Sequence, residues 1–248
     1  IIGNLKRTYS EVYFTLLTAT PYRGDHQGLS DVATKLIEIT TPRQLIKERW
    51  IVNPTNYIDP ETAQLTLPTD DEKSISDRYD RPKLIANIVD TWKLRSAGYP
   101  GIGFAINVAH SKHLVERFQT AGLRAAHLDG ETPKAERKRL IARLAIGGQG
   151  STHPEALDVL CNVDVLTEGF DSESSYELVL EDKSLWLGKS HPPEYVPLAV
   201  IGDWAPTKSM GKYIQRAVRN CRIHPKKTQA VYLDHSGNIN RHCFLVQH

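Results

Sequence analysis

Three arginines stand close together near the end of the chain, in the stretch 215–222 (QRAVRNCR). Arg219 and Arg222 are three positions apart, so a helix would carry both guanidinium groups on one face, with Gln215 one turn earlier on the same side. A fixed pair of planar cationic forks suits a polyphosphate whose charge must be stabilised during cleavage. The same spacing also occurs on basic, solvated helix faces, so the rest of the chain must decide between the two interpretations.

The composition narrows the class of protein. The 248 residues are enough for one large or two smaller domains, and 40% of them are hydrophobic, as in ordinary globular proteins. The net charge is only +2, so any contact with nucleic acid would come from a local basic patch. Cys161, Cys221 and Cys243 form neither a CxxC pair nor a zinc-like cluster, which favours a reduced, cytoplasmic setting. No apolar run approaches the roughly 20 residues that span a bilayer.

The hydrophobic pattern predicts strands that alternate with helices. Apolar, mostly β-branched runs predict strands at 12–17, 102–106, 125–128, 157–163, 198–201 and 228–233. Amphipathic spacing predicts helices at 29–39, 42–50, 82–97, 111–121 and 133–146. This alternation is typical of a parallel sheet with helices on both faces. Two stretches, 147–155 and 172–197, interrupt it, and residues 176–180 of the second could form a strand.

Two further motifs lie where strands are predicted to end. The segment 18–21 (TATP) closes the first strand at the sheet edge where ligands bind in α/β folds. The segment 167–171 (TEGFD) contains a glycine that lets the backbone approach a ligand, and its carboxylates could accept from ribose hydroxyls or orient arginines. Gly188-Lys189-Ser190 is not a P-loop, because the position that requires the first glycine is Lys183.

Taken in order, these motifs resemble the C-terminal portion of a superfamily 2 helicase of the DEAD/DEAH-box and restriction-translocase type. The resemblance rests on 18–21 (TATP), 104–111 (FAINVAHS), 127–132 (HLDGET), 160–163 (LCNV), 166–171 (LTEGFD), 206–209 (PTKS), 215–222 (QRAVRNCR) and 233–238 (LDHSGN). It implies an α/β, RecA-like parallel sheet with helices on both faces, as a complete second lobe preceded by the tail of a first lobe. The implied divisions are 1–58 for the first lobe, 59–80 for the linker and 81–248 for the second lobe.

The resemblance also implies a role for each motif. The candidate catalytic residues are the arginine fingers Arg219 and Arg222, which would contact the γ-phosphate of ATP. The candidate ATP-binding residues are Gln215, Gly169 and Asp171. The candidate nucleic-acid-binding residues are Thr167, Asn107, Ser111, Asp129, Gly130 and Thr132. The candidates for coupling the ATP state to the grip on nucleic acid are Thr18 and Thr20.

Two parts of a helicase ATP site are missing from the sequence, the P-loop and the acidic pair that holds Mg²⁺. We therefore expect ATP and Mg²⁺ to be used by the full-length protein, with an upstream lobe supplying both parts. This chain alone is expected to be inactive and to bind no metal. The expected partners are that lobe and single- or double-stranded nucleic acid, with DNA favoured over RNA by the resemblance to restriction translocases, and no membrane.

Two alternatives stay open. Val218 stands where the related motif usually has glycine, and a β-branched side chain there could push the helix away from the nucleotide. Together with the two interruptions, Val218 motivates a non-catalytic nucleic-acid-binding or regulatory module derived from a helicase. An unrelated doubly wound nucleotide- or metabolite-binding domain is a third interpretation, although no G-x-G-x-x-G motif follows a strand.

Overall fold

The structure is a computed structural model that describes residue 15 and residues 33–65, 71–166 and 175–243. The motifs at 18–21 and 167–171 lie outside these residues. The roles expected of five residues therefore lie outside them too: Thr18, Thr20, Thr167, Gly169 and Asp171.

The described residues contain a parallel sheet in the order β1-β6-β5-β2-β4-β3. Its strands are β1 (Pro54–Ile58), β2 (Gly101–Phe104), β3 (Ala125–Leu128), β4 (Val159–Asn162), β5 (Val200–Asp203) and β6 (Ala230–Asp234). The α-helices are α1 (Pro42–Lys47), α2 (Glu72–Tyr79), α3 (Pro82–Arg95), α4 (Val108–Thr120), α5 (Lys134–Ala145), α6 (Ser175–Glu181), α7 (Met210–Ala217) and α8 (Asn238–His242). The predicted α/β fold with a parallel sheet is confirmed.

Helices cover both faces of the sheet, because successive residues of each strand point to opposite faces. In β6, Val231 and Leu233 pack in the apolar cluster that contains α3 and α4 residues. Tyr232 lies between them in sequence and packs in the second cluster, with residues of α5 and α7. The two clusters form the core of a three-layer domain.

Short polar side chains set where several helices begin. Asn107 Oδ1 accepts from the backbone N of His110 at 2.9 Å, so α4 begins earlier than residue 111, where the apolar pattern placed its start. Ser209 caps α7 in the same way. Asp71 caps α2 through the backbone N of Ser74, and this helix lies in the stretch expected to be a linker.

One close approach depends on glycine. The Trp204 ring packs over Gly103 and Gly202, and a Cβ atom on these residues would lie 1.9 Å and 2.4 Å from it. Trp204 continues into an aromatic group with Trp92 and Phe118, at centroid distances of 6.0 Å and 5.6 Å. The absent side chains therefore allow three large rings to fill the layer between β2, β5 and the helices.

Two predicted elements are wrong. Residues 33–39, the described part of the helix predicted at 29–39, are not helical, and Leu36, Ile37 and Ile39 are 67%, 67% and 83% exposed. The apolar stripe has no surface to pack on among the described residues, and short helices need such packing. Residues 176–180 form helix α6 rather than a strand, since Val179 packs on the outer side of α5.

Strand β1 pairs in register with β6, from Pro54 with Ala230 to Ile58 with Asp234. Residues 54–58 therefore belong to the same sheet as the other strands, although the sequence placed them in the tail of a first lobe. The division of the whole chain into lobes stays a prediction.

Candidate nucleotide and nucleic-acid site

Polar residues stand at the carboxyl ends of the strands. Asn162, Asp203 and Asp234 end β4, β5 and β6, and the strand register places them in one row across the sheet. Asp59 and Asp129 directly follow β1 and β3. In open α/β sheets ligands bind at this carboxyl edge, so these residues are the first to consider.

A hydrogen-bonded chain of side chains, which we call the β3-turn cluster, joins α4 to the turn after β3: Ser111, His127, Asp129 and Thr132. Ser111 Oγ lies 2.7 Å from His127 Nδ1, and His127 Nε2 lies 2.9 Å from Asp129 Oδ2. Thr132 Oγ1 donates to Asp129 Oδ1 at 3.0 Å. Because an ionised carboxylate only accepts, His127 Nε2 must carry a proton.

These contacts fix the charge of the turn. The hydrogen bond from His127 is the largest cause that lowers the pKa of Asp129 to about 2, and Thr132 and the backbone N of Glu131 lower it further. Asp129 is therefore ionised at neutral pH, accepts the hydrogen bonds that order the turn, and would repel a phosphate placed next to it. Ser111 is fully buried with its hydroxyl already engaged, so it also acts as a positioning residue.

Two other groups at this edge are available to a ligand. The Nδ2 amide of half-exposed Asn107 has no partner among the described residues, while its Oδ1 caps α4. Gly130 is exposed, and no atom lies within 4 Å of the position its Cβ would occupy. An amide donor and an open backbone suit a phosphate oxygen.

The structure thus brings together five predicted residues: Asn107, Ser111, Asp129, Gly130 and Thr132. His127, which the sequence did not single out, links Ser111 to Asp129. The signal that could have found it is its position two residues before Asp129, since alternate residues of a strand share a face.

A second group of polar residues, the β5–β6 cluster, is buried at the same edge: Asp203, Arg216, Tyr232, Asp234 and Asn238. Arg216, 2% exposed, donates to Asp203 Oδ1 at 3.1 Å and to the carbonyl of Ala205 at 2.7 Å. Tyr232 Oη and Asn238 Nδ2 donate to Asp203 Oδ2 at 2.5 Å and 2.7 Å. Arg216 is therefore a structural anchor for α7.

Asp234 is held inside the same cluster by backbone donors. It accepts from the backbone N of Ser236 at 2.9 Å and of Ile239 at 2.8 Å, and from Ser236 Oγ at 2.8 Å. Burial, followed by the charge of Asp203, raises the pKa of Asp234. Residues 233–238 thus form a turn that hydrogen-bonds to Asp234 at the end of β6. Asn238 in this turn also binds Asp203 of β5 and so connects the two strands.

The sequence predicted that Arg219 and Arg222 lie on one helix with Gln215. In the structure, this stretch is not one continuous α-helix. Helix α7 ends at Ala217, Val218–Asn220 is a 3₁₀ turn, and Arg222 forms an antiparallel bridge with Ile51. The cause is Asn220, whose buried side-chain amide donates to the carbonyls of Ala199 at 2.9 Å and Val231 at 2.7 Å. Arg219 is half-buried in this turn, and Arg222 is exposed after it.

This turn lies at the amino ends of β5 and β6, because Ala199 precedes β5 and Val231 is near the start of β6. The backbone N of Val52, just before β1, donates to the carbonyl of Cys221 at 2.6 Å. Val218 does not enter the core, since its side chain is 36% exposed. The predicted arginines therefore lie at the opposite edge of the sheet from the β3-turn cluster.

The part of the chain that the structure describes contains no group of three or more His, Cys, Asp or Glu that could hold a metal ion. Within the same residues, none of the helices is long and apolar enough to cross a membrane.

The fold of this chain is shared with a known protein. No family model matches the chain. A "putative HsdR subunit of a type I restriction enzyme from Vibrio vulnificus YJ016", solved as a fragment, superposes with a TM-score of 0.63 at 15% identity, over 91% of this chain and 40% of the other. The fold of the described residues is thus RecA-like.

Two relatives in sequence are more specific. A "51.5 kDa protein" of Lactococcus phage (isolate 7-9) is 27% identical over 238 residues, which are 94% of this chain and 45% of the phage protein. The "Putative mitochondrial ATP-dependent helicase irc3" of Schizosaccharomyces pombe is 31% identical over 170 residues, 65% of this chain and 26% of the helicase. The resemblance to the C-terminal portion of a superfamily 2 helicase is confirmed. The chain spans less than half the length of either relative.

Proposed function

We propose that this chain is the C-terminal part of an ATP-dependent nucleic-acid helicase or translocase, whose upstream lobe carries the P-loop. The supporting observation is the turn that bears Arg219. Asn220 fixes it to the sheet on one side, and the segment at Ile51 and Val52 borders it on the other. An upstream lobe would connect to this chain through that segment. The arginines therefore lie next to the connection to the lobe that would carry the P-loop.

In this proposal Arg219 and Arg222 stabilise the charge on the γ-phosphate of ATP, and Gln215 contributes one turn earlier. Their guanidinium donors fit a polyphosphate, and a turn fixed by buried bonds can orient them. The acidic pair of a helicase ATP site does not occur in this sequence, so the upstream lobe would hold Mg²⁺. Bound ATP would supply the phosphoryl group whose transfer drives movement. Gly169 and Asp171 near the nucleotide, and Thr18 and Thr20 in coupling, remain parts of the proposal.

The carboxyl edge would hold the nucleic acid. Asn107 and the backbone of Gly130 would contact phosphates, and the β3-turn cluster would keep the turn in place. A nucleic-acid contact by Thr167 is part of the same proposal. Such contacts fix the position of a strand without reading its bases, as movement along any sequence requires. DNA is favoured over RNA by the resemblance of the motifs to those of restriction translocases. A cytoplasmic location fits the three cysteines, which are all unbridged.

The direct test is Arg219→Ala in the full-length protein. The ATPase kcat should fall by roughly three orders of magnitude or more, because an arginine finger acts mainly in the transition state. Arg139→Ala is the matched control, since Arg139 is an exposed arginine on α5 that pairs with Glu155 at 3.4 Å. Its kcat should stay within about twofold of the unchanged protein.

Unchanged ATPase activity after Arg219→Ala would contradict the proposal and favour the non-catalytic module. An upstream sequence without a P-loop would do the same. The 248-residue chain alone should show no ATPase activity, and nucleic-acid-stimulated hydrolysis by it would also contradict the assignment.

A further inference from the structure

The two stretches that interrupt the alternation of strands and helices pack together. We call residues 147–155 and 175–197 the accessory unit. His153 Nε2 donates to the carbonyl of Leu185 at 2.7 Å and so joins the two stretches. The backbone N of Val196 donates to the carbonyl of Ala145 at 2.8 Å, and Val179 and Leu185 pack on α5. The accessory unit is therefore an ordered extension of the domain.

A cavity of about 480 Å³ lies between the two stretches, within the range of small-ligand sites. Tyr176 and Trp186 form part of its wall. Their polar atoms are already used, since Tyr176 Oη donates to the carbonyl of Pro193 at 3.1 Å and Trp186 Nε1 to that of Val179 at 3.0 Å. The wall thus offers aromatic surface to a ligand.

Arg124 holds one side of the cavity in shape. Its guanidinium pairs with Asp158 at 2.7 Å and donates to the carbonyls of Gly148, Ser151 and His153 at 2.6, 3.0 and 3.2 Å. The loop that lines the cavity is therefore preformed, which lowers the entropic cost of binding.

The lining of the cavity holds one lysine, Lys189, and one glutamate, Glu194. Lys189 and His191 line it and are exposed, and Lys183 Nζ lies 6.0 Å from the centre of the Trp186 ring. Glu194, the acid in the lining, is paired with Lys226 at 2.5 Å. Within the described ranges, no acid pairs with Lys189. An anionic ligand would neutralise this charge.

We propose that this cavity binds a nucleotide unit of a single-stranded nucleic acid, with the base against Trp186 and the phosphate near Lys189. Aromatic rings beside unneutralised cations are the features that bind single strands without reading sequence. Gly98, Gly147 and Val196 of the lining precede β2, β4 and β5, so the cavity lies at the opposite edge of the sheet from Asn107. It adds a second nucleic-acid contact to the proposed function, and its test needs no ATP hydrolysis.

The test measures binding of a fluorescein-labelled oligothymidylate of about 12 nucleotides to the 248-residue chain by anisotropy, across a salt series. Lys189→Ala should raise Kd about fivefold and reduce the slope of log Kd against log salt by about 0.7. Trp186→Leu should raise Kd about tenfold. Lys83→Ala is the control and should leave both quantities unchanged. Lys83 is an exposed lysine at the start of α3 that pairs with Glu61 at 2.8 Å, whereas the lining residue Gly98 follows the other end of that helix.

An unchanged Kd and salt slope in Lys189→Ala would overturn the proposal. Because Lys189 is exposed, this substitution should leave the fold intact. Binding of an oligoglutamate peptide that Lys189→Ala weakens, with oligothymidylate binding unaffected, would assign the cavity to an acidic protein partner instead. Competition by free thymidine monophosphate as strong as that of the oligonucleotide, per nucleotide, would show a mononucleotide site and overturn the strand assignment.

Discussion

The β5–β6 cluster and the β3-turn cluster form the two halves of the carboxyl edge, and carboxylates have a different role in each. In the β5–β6 cluster, Asp203 and Asp234 are fully buried, and Arg216 neutralises Asp203. In the β3-turn cluster, Asp129 lies nearer the surface and holds a turn whose backbone is open at Gly130. Both halves place carboxylates at strand ends, but the first half stabilises the domain and the second presents groups to solvent.

This difference teaches that a strand-end carboxylate does not by itself mark a ligand site. The surroundings decide, because a buried carboxylate must be satisfied within the protein while an exposed turn can keep donors for a ligand. Removing a member of the β5–β6 cluster should therefore cost mainly stability, and changing the exposed part of the β3 half should cost mainly binding.

The largest effect is expected from Arg216→Met. It leaves Asp203 as a buried carboxylate without its cation, so the free energy of unfolding should fall by about 3–5 kcal/mol. Urea unfolding followed by circular dichroism measures it. Arg139→Met removes an exposed ion pair and should cost less than about 1 kcal/mol. Equal losses in the two variants would contradict the structural role of Arg216.

The next effect is a pH dependence that involves both halves. Burial lowers the pKa of His110, next to Ser111, and of His235, next to Asp234, to about 4 from 6.5. Both histidines are neutral in the folded protein over a range where the unfolded chain takes up protons. Their contribution is complete above pH 6.5 and is lost as the pH falls towards 4, by about 3 kcal/mol for each.

Urea unfolding across this pH range measures the loss. His110→Gln and His235→Gln should each remove their share of the pH dependence. A slope unchanged in both variants would show that neither histidine causes it. The lowered pKa of Asp129 acts in a separate window, from 3.8 down to about 2, where its contribution is lost as the carboxylate is protonated.

The third prediction separates binding from stability. Asn107→Asp keeps a good cap for α4, since Asn and Asp cap equally well, but replaces the available amide with a carboxylate. Stability should change by less than about 0.5 kcal/mol, while the affinity for a single-stranded oligonucleotide should fall about tenfold because the carboxylate repels phosphate. Anisotropy measures the affinity, and an unchanged Kd would remove Asn107 from the nucleic-acid site.

The smallest effect is expected from Ser111→Ala. The variant loses one hydrogen bond to His127, so the free energy of unfolding should fall by about 1 kcal/mol. Thermal or urea unfolding can resolve a change of this size. A loss as large as that of Arg216→Met would show that the β3-turn cluster also holds the domain together, and the contrast between the halves would fail.

Much of the fold could be predicted from the sequence because its strands are short apolar runs between amphipathic helices. The prediction failed at residues 33–39, whose apolar pattern has nothing to pack on among the described residues, and at α2, which is mostly polar and is marked chiefly by its cap at Asp71. The motifs drew attention to Asn107 and Asp129, whose roles stay predictions. They could not assign His127 or Arg216, because those roles depend on which strands and helices become neighbours in the fold.

The pairing of β1 with β6 joins residues 54–58 to residues 230–234. Loop closure over such a separation is slow, so the edge of the sheet should form late in folding, after the strands between them. A recombinant fragment that begins at residue 81, the expected lobe boundary, would leave β6 as an open edge ready to pair with another molecule. The solubility of such a fragment on expression therefore depends on whether it includes β1, which lies before the predicted linker in the sequence.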